Sequence, residues 1–315
     1  STAFPVYSAS NALDIDPEGR IVVVGSTHIS CSTTWNRHAL ARYLEDGSLD
    51  PSFGDGGTKS VGWSSVGTSL QDIEFQSDGK IVLSGGRYGS SCSGVTLSTV
   101  TRYTANGHLD TTFGSGGEMR RDIPHGRHHD YNRALALAPD DSLWATAADN
   151  YWDWAGVQRY TANGSFIAEN HIVSEYATAG GIEFNGVDRM IVSTTDDLVQ
   201  YGLDGSKIEW SALGSNYVDT PGSFFGGTAS SMKLDKDGRI LLLFQDHTRF
   251  HIIRYHPNGL IDTSFGYGGY VEISPGYEFF RASAIAVQPD GYIVIGGTAE
   301  VESGDRDFAM VRLCP

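Results

Sequence analysis

The sequence predicts an all-β fold: a six-bladed β-propeller with four antiparallel strands per blade. Three observations predict it. A glycine-rich string, DGSLDPSFGDGG at 46–57, returns as NGHLDTTFGSGG at 106–117 and NGLIDTSFGYGG at 258–269. A turn followed by a strand-like run recurs six times, as DPEGRIVVVG, QSDGKIVLSGG, APDDSLWATA, FNGVDRMIVS, DKDGRILLLF and QPDGYIVIGG. No stretch of any length shows helical spacing with caps. With Gly19, Gly79, Asp141, Asp188, Gly238 and Gly291 taken as equivalent, the units step by 60, 62, 47, 50 and 53 residues. Self-similarity of this period marks a repeat architecture.

Each unit opens on an alternating stretch such as NALDID or ASAIAV, whose period of two predicts a strand with one buried face. The Pro/Asp-Gly turn that follows supplies positive φ for a tight hairpin. The β-branched run after it, at 21–24 and 293–295 for example, is continuous, which predicts a second strand buried on both faces. A loop of variable length leads to a third strand that ends at Tyr43, Tyr103, Tyr160, Tyr201, Tyr255 and Leu313. An Asn/Asp-Gly turn and a fourth strand complete the unit. Four short strands repeated radially bury their faces against neighbouring sheets and leave only short edges.

The repeated string is read as the corner between third and fourth strands. Asp50, Asp110 and Asp262 are expected to bond backbone amides in Asx turns. Phe53, Phe113 and Phe265 are expected to plug the space between blades, and Gly54, Gly114 and Gly266 to take conformations closed to other residues. Units three and four replace the corner with NGSFIAENHIV and DGSKIEWSALG. Arg42, Arg102, Arg159, Arg254 and Arg312 recur in register beside the closing residue of the third strand and are read as structural.

The expected blades are about 9–66, 67–128, 129–177, 178–227, 228–279 and 280–315 of one propeller domain, with 1–8 added to the last. The sixth unit stops at MVRLCP, before a fourth strand. Phe4 to Ser8 are therefore expected to supply that strand and close the ring.

Composition limits the function. The 315 residues are 40% apolar, enough for a sizeable core, and carry 38 acids against 22 bases, a net charge of −16. That field repels nucleic acid and anionic bilayers. No run of about 18 apolar residues occurs, so no membrane span is expected. No signal peptide is visible, and the opening Ser1 in place of methionine suggests a processed or trimmed product.

The repeats resemble the delta-60 repeat family of bacterial proteins, whose pattern runs Pro-Asp-Gly-Lys-Ile, Gly, Arg-Tyr, Asp-Gly-Ser-Leu-Asp, Phe-Gly. The resemblance covers nearly the whole chain and is strong in units one, two, five and six. It implies a β-propeller of exported, bacterial origin, secreted or periplasmic. It transfers no catalytic residue, because the motif residues are structural.

Local motifs add no chemistry. Asp14, Asp16, Glu18 and Gly19 mimic the start of a calcium loop, but the twelfth position, which should be acidic, is Gly25. GSSCSG at 89–94 is not a nucleophile elbow, which needs Gly-x-Ser-x-Gly on a strand-to-helix turn. NGS at 163–165 is the turn of its blade rather than a glycosylation signal. No cofactor motif is legible.

A site is expected on the face where the second-to-third strand loops and the blade linkers emerge, because these vary while the turns of the other face repeat. Under a binding reading, His28, Trp35, His125, Arg127, Trp152, Trp154, His247, Arg249 and Tyr277 recognise a glycan or a protein, aromatic planes packing sugar rings and charged groups reading hydroxyls. Under an enzyme reading, that of a polysaccharide lyase or hydrolase, His128, His129, Tyr131 and Arg133 supply a proton acceptor and a cation for a uronate carboxylate. A purely structural role is the third reading. His125, His128 and His129 could ligate a transition metal, but solvated or acid-paired imidazoles are preferred and no metal is assigned. Cys31 and Cys92 lie in equivalent loops of adjacent blades, 12 and 13 residues past Gly19 and Gly79. A disulfide between them is expected, which would place the protein in an oxidising compartment. Cys314 is left over.

Overall fold

A computed structural model describes residues 8–27, 37–44, 46–62, 67–88, 96–121, 131–148, 155–171, 179–194, 197–215, 217–220, 231–245, 249–274, 279–288, 290–302 and 305–314. Six antiparallel sheets, with no helix among the described residues, make the chain an all-β, six-bladed propeller. It divides into two compact units, Ser1–Tyr176 and Ala177–Pro315, with three blades in each.

In the first unit, blade 1 is β1 (Ser8–Ile15), β2 (Ile21–Thr27), β3 (Arg37–Tyr43) and β4 (Thr58–Val61). Blade 2 is β5 (Gly67–Phe75), β6 (Ile81–Tyr88), β7 (Thr96–Tyr103) and β8 (Glu118–Arg121). Blade 3 is β9 (Tyr131–Leu137), β10 (Leu143–Ala148), β11 (Ala155–Tyr160) and β12 (Phe166–His171). Each is a four-stranded meander paired in sequence order. The first strands lie side by side, β1 against β5 and β5 against β9, and so form the inner edge of the unit.

In the second unit, blade 4 is β13 (Ala179–Phe184), β14 (Arg189–Thr194) and β15 (Asp197–Gly202), with an outer strand in two pieces, β16 (Lys207–Ile208) and β17 (Tyr217–Asp219), both paired with β15. Blade 5 is β18 (Ser231–Leu234), β19 (Ile240–Gln245), β20 (Phe250–Tyr255) and β21 (Tyr270–Ile273). Blade 6 shows β22 (Phe279–Val287), β23 (Ile293–Glu302) and β24 (Asp305–Leu313). Of the outer strand expected from Phe4 to Ser8, residues 4–7 lie outside the described residues, and Ser8 pairs instead with Thr27 in blade 1. Here too first strands pack together, β13 with β18 and β18 with β22.

The turn after each first strand is a hydrogen-bonded hairpin. Asp16 Oδ1 accepts from the Glu18 and Arg20 amides at 3.1 and 2.9 Å, and Asp235 holds the Asp237 and Arg239 amides in blade 5 in the same way. The acidic string at 14–18 is therefore a turn, not a cation loop.

The corner behaves as its repetition predicts. Asp50 Oδ1 accepts from the Ser52 amide at 2.9 Å and its hydroxyl at 2.6 Å, and Oδ2 from Arg42 Nε at 2.9 Å. The Arg42 guanidinium lies 4.6 Å from the centroid of Phe53 and reaches across to the Ala105 carbonyl of the next blade at 2.7 Å. Arg102, Asp110, Phe113 and the Ala162 carbonyl repeat this at 2.9, 4.6 and 2.6 Å. Arg254, Asp262 and Phe265 repeat its first half at 2.8 and 4.4 Å. The Ser52 hydroxyl, then burial opposing it, set the Asp50 carboxyl, and the net shift is below the usual range. Gly54 has φ 54°, and a Cβ there would lie 2.3 Å from the Thr58 carbonyl oxygen.

Each plug enters the core of the following blade. Phe53 packs with Leu70, Ile73, Ile81 and Leu83 of blade 2, Phe113 with Leu135, Leu143 and Ala145 of blade 3, and Phe265 with Ile285, Ile293 and Ile295 of blade 6. Blade 4 corrects the expectation that it has no corner. Trp210 is fully buried with Met232, Ile240 and Leu242 of blade 5. Its carbonyl accepts from Gly214 N–H at 2.9 Å, as that of Phe53 accepts from Gly57 at 2.7 Å. Tryptophan takes the place of phenylalanine there, and the corner's insertion splits the outer strand into β16 and β17. Blade 3 does lack a corner, and Arg159 stacks instead on Trp144 at 4.5 Å.

Candidate functional site

Antiparallel order places the two short turns of a blade at one end and its second-to-third loop and blade linkers at the other. The turn end is the repeated scaffold just described. Midway along them, the inner strands share a feature that no residue type announces. In β1 the register slips between Ser10 and Ala12, leaving Asn11 as an extra residue. In β5 it slips between Leu70 and Asp72, leaving Gln71, and in β9 it leaves Arg133 between Asn132 and Ala134. All three stand eight residues before Gly19, Gly79 and Asp141. In the second unit, β22 leaves Ser283 in the same register, and β13 slips across Gly180 and Gly181. A bulge bends its strand and re-aims a side chain, and bulges gather beside binding sites.

The bulges are supported rather than loose. Thr146 Oγ1 accepts from the Ala134 amide at 3.0 Å, and Ser193 Oγ from the Gly181 amide at 2.9 Å. Asp72 Oδ2 accepts from the Leu135 amide at 2.8 Å, joining β5 to β9 just past two bulges. Asn11 and Gln71 are exposed, and Arg133 is half-buried. In the first unit the inner strands thus present an amide, an amide and a guanidinium at one register, a set that reads hydroxyls and carboxylates.

Behind these strands, charged and titratable groups pair within and between blades. His38 Nδ1 lies 3.0 Å from the Tyr103 hydroxyl. Burial, and then the Arg87 charge, lower the imidazole to about 3, so it is neutral at pH 7. Burial and the Glu118 charge raise the Tyr103 phenol. Glu118 pairs with Arg87, and with Arg120 at 3.1 Å. Burial pushes its carboxyl up, against the pull of the two arginines. Arg121 binds Glu169 at 2.9 Å and lies 3.6 Å over Phe166. In the second unit, Glu272 pairs with Arg249 and lies 4.0 Å from His251.

Of the expected site residues, Arg133 stands at the bulge of β9. Tyr131 begins β9, its backbone paired with Ala148. Arg249 is at the foot of β20, paired with Glu272 of β21. His28, Trp35, His125, Arg127, His128, His129, Trp152, Trp154, His247 and Tyr277 lie outside the described residues, as do Cys31 and Cys92. Cys314 is exposed and free. Among the described residues no group of three or more His, Cys, Asp or Glu could hold a metal ion, and no helix is long and apolar enough to cross a membrane. Asn11 and Gln71 are additions that sequence reasoning missed. Their signal, a constant offset from the turn glycine, becomes visible only once the pairing register is known.

The family described as "Domain of unknown function (DUF5122) beta-propeller" matches residues 17–53, 76–113, 236–265 and 288–315. These are blades 1, 2, 5 and 6, where the repeat is strongest. No curated protein matches the chain. Among solved structures, a catalytically inactive virginiamycin B lyase from Staphylococcus aureus with quinupristin is similar at TM-score 0.56 and 11% identity, over 96% of this chain and 84% of that one. A protein of unknown function from Bacteroides caccae is similar at 0.53 and 14%, over 90% and 85%. A luciferin-regenerating enzyme is similar at 0.53 and 11%, over 92% and 84%. At these identities the likeness is one of fold.

Proposed function

We propose that the chain is an exported binding propeller that takes a polar ligand, a glycan or another protein, along the inner strands where they bulge. One observation carries the reading. Asn11, Gln71 and Arg133 are delivered by three bulges in one register, whereas the residues repeated from blade to blade are consumed at the turn end. A repeat protein that keeps its backbone device and varies the side chain upon it has a recognition surface rather than a second scaffold. The aromatic and histidine-rich segments that follow β2, β8 and β10 in the sequence, at 28–36, 122–130 and 149–154, carry the residue types that stack on sugar rings. Export accords with a Cys31–Cys92 disulfide, since the two loops join equivalent strands of adjacent blades.

A second reading, a polysaccharide lyase or hydrolase using His128, His129, Tyr131 and Arg133, draws support from Arg133 occupying a bulge. A glycan array run beside an assay for unsaturated uronate absorbance separates the two. Retention of an intact glycan supports binding. Appearance of the unsaturated product, lost in His128→Ala and His129→Ala, supports the enzyme. Retention of no glycan and no protein partner overturns both.

A further inference from the structure

Asparagine before glycine is the pair of residues most prone to modify itself, because no side chain shields the amide that follows. The sequence holds four such pairs, at 106–107, 163–164, 185–186 and 258–259. Two conditions of proximity and orientation govern the reaction. The glycine nitrogen must be free to attack, and the asparagine carboxamide must face it. The four pairs differ in both.

In three of them the glycine is held. Gly107, Gly164 and Gly259 donate their amides to the Thr104, Thr161 and His256 carbonyls at 2.8, 2.8 and 2.9 Å. Each also lies against the ring that the preceding blade contributes: a Cβ would fall 2.6 Å from Phe53, 2.8 Å from Phe113 and 2.8 Å from Trp210. Their asparagines are exposed. Of the three carboxamides, only that of Asn258 accepts an amide among the described residues, from Leu260 at 3.1 Å.

Blade 4 inverts this. Gly186 N–H meets no acceptor among the described residues, and a Cβ on Gly186 would meet nothing within 4 Å. Asn185 Oδ1 accepts from the Val187, Asp188 and Arg189 amides at 3.0, 2.9 and 2.9 Å, and Nδ2 donates to Asp188 Oδ1 at 3.2 Å. These bonds fold the carboxamide forward over the peptide it must react with. Three donors on one oxygen also polarise Cγ and are placed to hold the oxyanion that forms there.

The same position suits the product. Asn185 stands three residues before Asp188, as Asp16 and Asp235 stand three before Gly19 and Gly238. Those aspartates hold the Arg20 and Arg239 amides through Oδ1, and use Oδ2 to bind Arg20 Nε at 2.7 Å and Arg239 Nε at 2.6 Å. Arg189 occupies the place of those arginines, and its Nε lies 3.4 Å from Asp188.

We propose that Asn185 is a self-modifying site that converts to aspartate in the folded chain. Gly186 N gives its proton to solvent base and bonds to Asn185 Cγ. The Cγ–Nδ2 bond breaks, and ammonia leaves with a proton returned by solvent. Water then opens the five-membered succinimide to aspartate or isoaspartate. One water enters, one ammonia departs, and no electrons are exchanged. The aspartate form takes the Arg189 guanidinium as its partner, completing the ion pair that blades 1 and 5 already have.

Incubation of the full chain in mildly alkaline buffer, with peptide mass mapping over time, tests this. In the folded protein Asn185 should convert at least about tenfold faster than Asn106, Asn163 or Asn258. In urea the four should convert at similar rates, since the residue pair is the same. Asn185→Asp should melt no lower than the wild type. An Asn185 that stays intact while the unfolded chain converts overturns the proposal, as does any other pair that keeps pace with it in the fold. A destabilised Asn185→Asp overturns the pairing of the product with Arg189.

Discussion

Gly107 lies against the ring of Phe53, close enough that a Cβ would fall 2.6 Å from its Cζ. The repeated glycine of the turn and the repeated phenylalanine of the preceding corner are two halves of one joint between blades. Gly107→Ala should therefore cost about 2–4 kcal/mol, overpacking adding to positive-φ strain. Gly47→Ala, with open space at its Cβ, should cost only the strain, about 1–2 kcal/mol. Urea unfolding of the two variants checks this; equal losses would mean that the ring contact has no energetic weight.

Trp210 repeats the joint with a larger ring. Its indole N–H is buried without a partner among the described residues, so truncation to phenylalanine removes an unmet donor as it opens space. Trp210→Phe should lose about 1 kcal/mol or less, and Trp210→Ala about 3–5 kcal/mol. Thermal unfolding distinguishes them. A Phe variant as damaged as the Ala variant would show that blade 4 does not use Trp210 as a plug.

His38 makes stability depend on pH. Its folded-state value is lowered from 6.5 to about 3, so between those values the unfolded chain binds a proton that the folded chain refuses. Stability is full above about 6.5 and erodes as pH falls toward 3, by on the order of 5 kcal/mol. His38→Gln keeps a side chain able to bond the Tyr103 hydroxyl and cannot titrate. Denaturant midpoints across this window should fall less steeply in His38→Gln; identical slopes would place the acid sensitivity elsewhere.

Thiol titration of the unfolded, unreduced protein should find one reactive cysteine, Cys314, of the three present. Peptide mapping should join Cys31 to Cys92. Reduction should lower stability by about 4 kcal/mol, the loop-closure entropy of a bridge across some sixty residues. Three titratable thiols would remove both the bridge and its support for an oxidising compartment.

What the sequence made legible follows from what repeats. Asp50, Phe53, Gly54 and Arg42 return with fixed spacing because each contacts a backbone group that is itself repeated, so position alone disclosed their roles. Trp210 escaped because its neighbours kept the geometry but not the letters: Glu209 and Ser211 stand where the other corners have different residues, while the four-residue step to Gly214 survives. The bulges escaped for another reason. An extra residue is a property of pairing between strands, and Asn11, Gln71, Arg133 and Ser283 share no residue type that a sequence pattern could flag. The loop residues were legible only as composition, because a variable loop carries no internal copy against which to align.

The account turns on whether the inner-strand bulges, rather than the turn end, receive a ligand. The most direct measurement is affinity for the best-bound ligand of a glycan or protein panel, compared among the wild type, Gln71→Ala, Arg133→Ala and the turn-end variant Lys59→Ala. Gln71→Ala and Arg133→Ala should each weaken binding about tenfold or more, with melting temperatures unchanged, and Lys59→Ala should match the wild type. Full affinity in both bulge variants, or an equal loss in Lys59→Ala, would contradict it.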